Sequence, residues 1–229
     1  MRFLLLCWCS TFFAVVWGQA KMVEIPSKYD MRRLAVSVYE TTVGDFDRFV
    51  KATGYITDAE KEGNAVVQGG KYKVGVNWRH DSQGKLIKIS DYGKYPVLHL
   101  SSRDVQMFCR WAKVRLPSEE EWIFLFREGK ESNWIYSGSN DIKKVAWNDS
   151  YCNIRKEQKV GMKSPNKLGL YDMSGNVWEL CTTGTRMFVL KGGSWIDSPA
   201  RLGYNGRWLI ESDYVRESWL WGFRTVTDL

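Results

Sequence analysis

The sequence has few side chains that bind soft metals or relay protons. Of its 229 residues, two are histidine (His80 and His99) and five are cysteine, with none after Cys181. The cysteines beyond residue 20, which are Cys109, Cys152 and Cys181, allow at most one disulfide and have no CxxC or CxxH spacing. The sequence therefore offers few of the His and Cys side chains that a zinc site or a Ser-His-Asp catalytic triad needs.

Long apolar runs are also scarce. The longest, residues 3–17, follows a single arginine, precedes small residues and is short for a membrane span. This pattern predicts a signal peptide over residues 1–20 and export of the mature chain. An uncleaved N-terminal anchor and a lipid on Cys7 or Cys9 remain open alternatives.

Blocks of like charge are absent. The chain has 33 Lys and Arg against 26 Asp and Glu, a net charge of +7, with no run of five or six basic residues. Scattered positive charge favours an acidic partner or a cell surface over nucleic acid. The length and the 44% apolar content suit one domain, residues 21–229.

Lysine is missing from the C-terminal part of the chain. The last lysine is Lys191, and from Trp195 to Phe223 there are four Trp, two Tyr and one Phe. Disordered segments have the opposite balance, whereas rigid aromatics with Arg, Ser, Gly and Asn are typical of binding surfaces. Both ends of the segment carry short apolar strand signals broken by glycine. Residues 192–225 are therefore predicted to be a ligand-binding segment on a scaffold formed by the rest of the chain.

The scaffold carries signals for both strands and helices. Strands are expected at residues 34–39 and 95–100, and glycine-rich loops and hairpins at 62–94. Three helices are expected, each beginning directly after an N-cap residue. The caps are Thr42, Ser101 or Ser102, and Ser118, the last forming a capping box with Glu121.

Five motifs occur in an order that resembles the formylglycine-generating-enzyme or sulfatase-modifying-factor domain. The resemblance covers nearly all of the chain beyond residue 20 and implies an α+β domain with a C-type-lectin-like fold, with small antiparallel sheets, flanking helices and many irregular loops. The motifs are YETTVGDFDRFVKATGYITDAEKEG from Tyr39, NWRH from Asn77, residues 95–127 around RLPSEEEW, GLYDMSGNVWEL, and KGGSW followed by GFR.

The resemblance also implies a copper site that this chain lacks. Enzymes of that family oxidise a substrate cysteine to formylglycine, with a copper ion held by two cysteines after the Gly-Gly-Ser-aromatic motif. Soft thiolates are the ligands that Cu(I) prefers. Counted from Trp195, the matching positions are Asp197 and Leu202, neither of which supplies a thiolate. The domain is therefore expected not to be an enzyme.

A fold of this type without the cysteines is most similar to the variable proteins of diversity-generating retroelements. There the segment between Gly-Gly-Ser-Trp and Gly-Phe-Arg is the diversified, ligand-contacting surface. Three arginines of the segment (Arg201, Arg207 and Arg216) are candidates for framework anchors instead, and Trp208, Trp219 and Trp221 could each pack inward. The predicted ligand-binding residues are Ile196, Asp197, Tyr204, Asn205, Trp208, Ile210, Ser212, Asp213, Tyr214, Glu217, Ser218, Leu220 and Trp221.

A calcium site is implied by the same resemblance. It would use the Asp172 side chain, the carbonyls of Gly175 and Val177, and Glu179, and hard oxygen ligands around a glycine turn suit Ca²⁺. The alternative is a turn in which Asp172 caps backbone N–H groups and Glu179 pairs with an arginine. No cofactor is expected to be required.

The sequence thus predicts an exported, surface-displayed, monomeric binding protein. Its ligand would be an unknown macromolecule, such as a protein or cell-surface component, and a lipid anchor at the N-terminus stays open. The alternatives are a metal-dependent oxidase of the same family and a structural subunit of an envelope complex.

Overall fold

The computed structural model describes residues 20–25, 33–129, 132–184, 187–210, 212 and 214–229. The signal peptide predicted over residues 1–20 lies almost wholly outside these ranges. The strands are β1 Met22–Ile25, β2 Leu34–Ser37, β3 Asn64–Val67, β4 Lys71–Val74, β5 Trp178–Thr182, β6 Phe188–Lys191, β7 Arg207–Ile210, β8 Trp221–Gly222 and β9 Val226–Asp228. The helices are α1 Val43–Thr53, α2 Asp58–Glu62, α3 Ser102–Ala112, α4 Glu119–Phe126, α5 Ile142–Val145 and α6 Asp149–Cys152, with 3-10 turns at Ile89–Lys94 and Pro199–Leu202.

The described strands form three small sheets. One has the order β1-β2-β9, the second is the hairpin β3-β4, and the third has the order β7-β6-β5-β8. All pairings are antiparallel except that of β5 with β8. Because β9 pairs with β2, the end of the chain is fixed against its beginning, and the segment between β6 and β9 is held at both ends.

Two apolar cores pack against the third sheet. The larger one lies between α1, α3 and the sheet, and the smaller one between α4, β2 and the sheet. Each contains tryptophan rings with no exposed surface, Trp78 and Trp178 in the first and Trp122 in the second. Several of the twelve tryptophans are thus framework, which leaves fewer for a surface.

The helix starts follow the predicted caps. The Thr42 and Ser118 side chains accept hydrogen bonds from the backbone N–H three residues on, and Asp45 and Glu121 return the bond to complete a capping box. At α3 the N-cap is Ser101 and not Ser102. Such caps stabilise a helix end by about 1 kcal/mol each.

The predicted strand at residues 95–100 is wrong. Only one isolated bridge, Thr42 to Pro96, forms there. Pro96 has no N–H to give to a ladder, and His99 adopts φ 56°, a left-handed conformation that no regular strand contains. The N–H of His99 bonds instead to the carbonyl of Ser218, which ties this stretch to the C-terminal segment.

None of the helices in the described ranges has the length and apolar content needed to cross a bilayer.

Candidate recognition surface

The C-terminal segment starts from a rigid turn at the Gly-Gly-Ser-Trp motif. The Asp197 carboxylate accepts hydrogen bonds from the backbone N–H of Ser194 at 2.9 Å and from its hydroxyl at 2.5 Å. The N–H of Trp195 donates to the Asn176 carbonyl, and the Trp195 carbonyl accepts from the N–H of Asp149. Asp197 therefore acts mainly as a turn cap, and its side chain is 13% exposed.

A buried lysine holds the next part of the segment. The Lys191 side chain is 1% exposed, and its Nζ donates to the Tyr204 carbonyl at 2.9 Å and contacts Glu119 at 3.4 Å. Burial lowers the pKa of Lys191. Because Glu119 also accepts from Nε of Arg207 at 2.8 Å, one carboxylate joins β6, β7 and the start of α4.

Leu202 fills an apolar pocket where the resemblance implies a copper thiolate. It has no exposed surface and packs with Ile142 and Ala146, and its carbonyl accepts a hydrogen bond from Ser174 Oγ at 2.9 Å. A Cβ on Gly206 would lie 1.8 Å from the Arg201 carbonyl oxygen, so only glycine fits the tight turn that follows. The stretch from residue 194 to 206 is consequently a fixed frame.

Three of the predicted ligand-binding side chains are largely exposed. Ile196 is 43% exposed and Trp208 is 48% exposed, and Asn205 is exposed as well. These three residues, with the flanking half-buried ones, are called the recognition surface below. The half-buried predicted residues are Asp197, Tyr204, Ile210, Ser212, Tyr214, Ser218 and Leu220.

Two of the residues predicted to bind the ligand, Trp221 and Glu217, lie in the interior, so the prediction is wrong for them. Trp221 is 3% exposed because β8 pairs with β5 and places its ring in the larger core. Glu217 is also 3% exposed, and burial raises its pKa. Trp219 is 9% exposed, with its ring 6.4 Å from that of Trp195. Asp213 lies outside the described residues.

The second half of the segment is clamped to the helices. The N–H of Val215 donates to Ser102 Oγ, and its carbonyl accepts from the Ser102 N–H. The Tyr214 hydroxyl lies 3.3 Å from Asp58, and the Arg103 guanidinium lies 5.2 Å from the Tyr214 ring. These contacts orient the segment without covering Ile196 or Trp208.

The three arginines that are candidate framework anchors each form an ion pair and are also largely exposed. Arg201 contacts Asp197 at 3.5 Å, and Arg207 contacts Glu119 at 2.8 Å. Arg216 contacts Glu62 at 2.8 Å. Since 45 to 57% of each arginine side chain is exposed, these pairs add little stability.

The residues predicted to bind calcium are close together, but Glu179 has other partners. Its carboxylate accepts two hydrogen bonds from Arg224, both at 2.6 Å, and one from Trp122 Nε1 at 2.7 Å. Asp172 accepts from the N–H of Gly161, and burial raises the pKa of Asp172 to about 6. The arrangement matches the alternative prediction, in which Asp172 caps backbone N–H groups and Glu179 pairs with an arginine. It fits a calcium ion poorly, because the Glu179 carboxylate, the strongest anionic ligand of the predicted site, is already bound to Arg224. Calcium binding itself stays a prediction.

No group of three or more His, Cys, Asp or Glu side chains within the described ranges is arranged to hold a metal. His99 is buried, with Nε2 3.0 Å from the Asp81 carbonyl, and burial lowers its pKa to about 4. Cys109, Cys152 and Cys181 are all free thiols.

Comparison with known proteins identifies the domain. The family described as "Sulfatase-modifying factor enzyme 1-like domain" matches residues 14–229. The formylglycine-generating enzyme of Mus musculus is 31% identical over 179 residues, covering 63% of this chain and 47% of that enzyme. The inactive C-alpha-formylglycine-generating enzyme 2 of Mus musculus is 28% identical over 202 residues, covering 73% of this chain and 65% of that protein. The chain spans about half the length of the mouse and bovine formylglycine-generating enzymes.

Solved structures confirm the predicted fold class. PvdO from Pseudomonas aeruginosa superposes with a TM-score of 0.67 at 21% identity, covering 86% of this chain and 81% of that one. Variable protein 1 of Treponema denticola superposes with a TM-score of 0.59 at 19% identity, covering 86% and 85%. At such identities these likenesses establish the fold alone.

Proposed function

Because this chain belongs to the family of sulfatase-modifying factor enzyme 1-like domains and has no cysteine after Cys181, we propose that it is a binding protein, with residues 192–225 as its recognition segment. The observation that carries the proposal is the exposed pair Ile196 and Trp208 on a frame of tight turns. A rigid frame reduces the entropy lost when a partner binds.

The two positions that would carry copper thiolates support a role other than oxidation. Asp197 caps the Ser194 turn and Leu202 fills a core pocket, so both side chains serve the frame. Neither is a soft ligand, and Cu(I) requires soft ligands. An inactive relative in mouse is consistent with a loss of the reaction in this family.

The chemistry of the surface supports a macromolecular ligand. Tryptophan and tyrosine give large contact area at low entropic cost, and Asn and Ser give adaptable hydrogen bonds. Trp208 lies on β7, an outer strand of the β7-β6-β5-β8 order, and its exposed ring is accessible to a protein or cell-surface partner. We further propose that the protein is exported through residues 1–20, is displayed at the cell surface as a monomer, and needs no cofactor.

We also propose that residues 192–225 are the diversified segment of a diversity-generating retroelement, and gene sequences from related isolates test this. Substitutions should concentrate at Ile196, Asn205 and Trp208 and should spare Leu202 and Gly206, because the first three are exposed and the other two hold the frame. A neighbouring reverse-transcriptase gene with a near-copy of the C-terminal coding segment would support the same conclusion. Substitutions spread evenly over exposed and buried positions would overturn the proposal of diversification.

An activity assay tests the non-enzymatic part. The purified chain, incubated with copper and a cysteine-containing sulfatase peptide, should leave the peptide mass unchanged. Formylglycine in the product would contradict the proposal and favour the oxidase alternative.

A further inference from the structure

The outer edge of the β3-β4 hairpin has no neighbouring strand in the described part of the chain. The two strands form a sheet of their own, in which β3 is the one neighbour of β4. All four residues of β4 are exposed. An exposed strand edge presents unpaired N–H and C=O groups, to which another extended segment can pair. The edge of β4 is therefore a candidate interaction surface.

The register of the hairpin decides which backbone groups face outward. The N–H of Gly75 donates to the Gly63 carbonyl at 2.9 Å, directly after the paired residues. Hydrogen-bonded and non-hydrogen-bonded pairs alternate along an antiparallel ladder. Lys73 therefore bonds to β3, whereas the N–H and C=O groups of Tyr72 and Val74 point away from it. These groups form the free edge.

The strand β3 fixes the hairpin to the body of the protein. Its side chains Ala65 and Val67 are buried and pack with Ala59 of α2. The turn is held as well, because the N–H of Gln68 donates to the Ser82 carbonyl at 2.8 Å. The free edge thus lies on a fixed support, which lowers the entropy lost when a partner pairs with it.

Positive charge is concentrated in the sequence around this edge. Residues 64–89 contain five Lys and Arg and one acidic residue, Asp81, so they carry more than half of the net charge of +7. Asp81 is buried and contacts Lys156 at 2.8 Å, outside this stretch. Neither Lys71 nor Lys73 forms an ion pair with a described residue, and Lys73 Nζ donates instead to the Gly84 carbonyl at 2.8 Å. The charge on β4 is therefore not cancelled.

The two lysines disfavour a second copy of the chain as the partner. If two β4 strands paired antiparallel about Lys73, that lysine would face its own counterpart, and a pairing about Tyr72 would set Lys71 against Lys73. Like charges directly opposite each other destabilise a strand pair. Lysine on an edge strand is a common protection against such self-association.

The backbone groups also disfavour a membrane as the partner. Tyr72 is 60% exposed and Val74 is 88% exposed, and exposed apolar side chains beside lysines can suit an anionic bilayer. However, insertion of this edge would leave the outward N–H and C=O groups without partners in an apolar medium, which is costly. An extended peptide satisfies the same groups.

We propose that the outer edge of β4 binds an extended acidic segment of another protein, which adds to the hairpin as a third strand. The backbone of the partner pairs with Tyr72 and Val74. Its residues opposite Lys71 and Lys73 then form the non-hydrogen-bonded pairs, in which side chains lie closest, so carboxylates are favoured there. The partner segment therefore alternates acidic and apolar residues. This surface does not use residues 192–225.

Fluorescence anisotropy of the purified chain with labelled synthetic peptides tests this surface. The probe is the peptide SEVEVEVS. Its counterparts are SKVKVKVS, which reverses the charge, SEEEVVVS, which keeps the composition without the alternation, and SEVEVEVS with N-methylated valines, which lacks the ladder N–H groups. The probe should bind at least about tenfold more tightly than each counterpart. No binding of the probe at millimolar concentration, or equal binding of the probe and SEEEVVVS, would overturn the proposal.

A proline variant tests the backbone pairing. Val74→Pro removes an outward N–H and leaves the ladder to β3 intact, and edge strands tolerate proline at such positions. It should weaken binding of the probe about fivefold or more, the effect of one lost hydrogen bond. Val74→Thr keeps the N–H and the strand propensity and should bind within about threefold of the native chain. Equal affinities of the two variants would overturn the proposal.

Charge-matched variants separate strand pairing from general electrostatic attraction. The double variant Lys71→Gln, Lys73→Gln should weaken binding of the probe about tenfold. The double variant Lys113→Gln, Lys143→Gln removes the same charge from exposed positions elsewhere and should leave binding within about twofold. Equal losses in both double variants would overturn the proposal.

Vesicles of phosphatidylglycerol and phosphatidylcholine test the membrane alternative. Co-sedimentation of the native chain and of Val74→Pro with these vesicles should show no binding that depends on the β4 lysines. Vesicle binding that the double variant Lys71→Gln, Lys73→Gln abolishes and Val74→Pro retains would overturn the proposal in favour of a membrane surface, because a bilayer does not use the outward N–H.

Discussion

The indole ring of Trp208 stands edge-on to the ring of Trp178, with 6.3 Å between their centroids. Trp178 has no exposed surface, whereas Trp208 is 48% exposed. The buried ring belongs to β5 and the exposed one to β7, on either side of β6. The core therefore supports the largest side chain of the recognition surface from below, which keeps that side chain oriented before any partner binds.

This relationship predicts effects of very different size on stability for two tryptophan substitutions. Trp178→Ala should lower the free energy of unfolding by about 3 to 5 kcal/mol, because it leaves a cavity in the core. Trp208→Ala should change it by about 1 kcal/mol or less, because the ring is half in water already. Urea unfolding followed by circular dichroism measures both. If Trp208→Ala proved as costly as Trp178→Ala, the exposed ring would be structural and the proposed surface would lose its centre.

The turn before Trp208 supplies a second prediction. Gly206→Ala should destabilise the protein by at least about 2 kcal/mol, because the added Cβ would lie 1.8 Å from the Arg201 carbonyl oxygen. The matched control is Gly184→Ala, since a Cβ there meets nothing within 4 Å. Thermal unfolding of the two variants should differ clearly. Equal melting temperatures would show that the turn can relax and that the frame is less rigid than proposed.

Much of the scaffold could be predicted because its signals are local. The Thr42 and Ser118 caps each depend on chemistry within one turn, and the structure contains both. The hairpin β3-β4 likewise falls inside the predicted glycine-rich stretch 62–94. Local hydrogen-bonding rules are enough at these places.

The orientation of the C-terminal tryptophans could not be predicted in this way. Trp208 and Trp221 both lie in the aromatic C-terminal segment, yet one is exposed and the other lies in the larger core. The difference comes from the pairing of β8 with β5, a contact between residues about forty positions apart. The same applies to His99, whose N–H bonds to Ser218 and prevents the expected strand. Partners distant in sequence decide both outcomes, and neither segment has a period that would reveal them.

The pair formed by Glu179 and Arg224 leads to a prediction on stability. Arg224→Met should lower the free energy of unfolding by about 3 to 5 kcal/mol, because it leaves the buried Glu179 carboxylate without a cation. Burial and the neighbouring carboxylates Asp172 and Glu179 already raise the pKa of Glu40, so the region tolerates no further negative charge. The double variant Arg224→Met, Glu179→Gln should recover part of the loss. Full additivity of the two single changes would show that the pair is not coupled.

The same pair sets an expectation for calcium. Since Arg224 donates two hydrogen bonds to Glu179, millimolar calcium or a chelator should leave the melting temperature of the native chain unchanged. Differential scanning fluorimetry with and without calcium measures this. An increase of several degrees that Glu179→Gln abolishes would restore the calcium site implied by the sequence resemblance, with Arg224 displaced from the carboxylate.

The buried Glu157 anchors the loop of residues 153–163, since both of its carboxylate oxygens lie within hydrogen-bond distance of the Ser82 N–H. Its burial predicts a pH dependence of stability with a defined sign. Burial, with a smaller contribution from Asp81, raises the pKa of Glu157 to about 7 in the folded chain, against the lowering effects of the Ser82 hydrogen bond and of Lys156. In the unfolded chain the pKa of a glutamate is about 4.3. Between these values the folded state holds the proton more tightly, so the contribution of Glu157 is fully present below about pH 4 and is lost as the pH rises through about 7.

Glu157→Gln cannot titrate, so its stability relative to the native chain should increase by about 2.5 kcal/mol between pH 5 and pH 8. Urea unfolding of both proteins at the two pH values gives this difference directly, and other titrating groups cancel between them. A difference that stays constant, or that changes in the opposite direction, would show that Glu157 is ionised in the folded chain and that the loop is held by charge pairing instead.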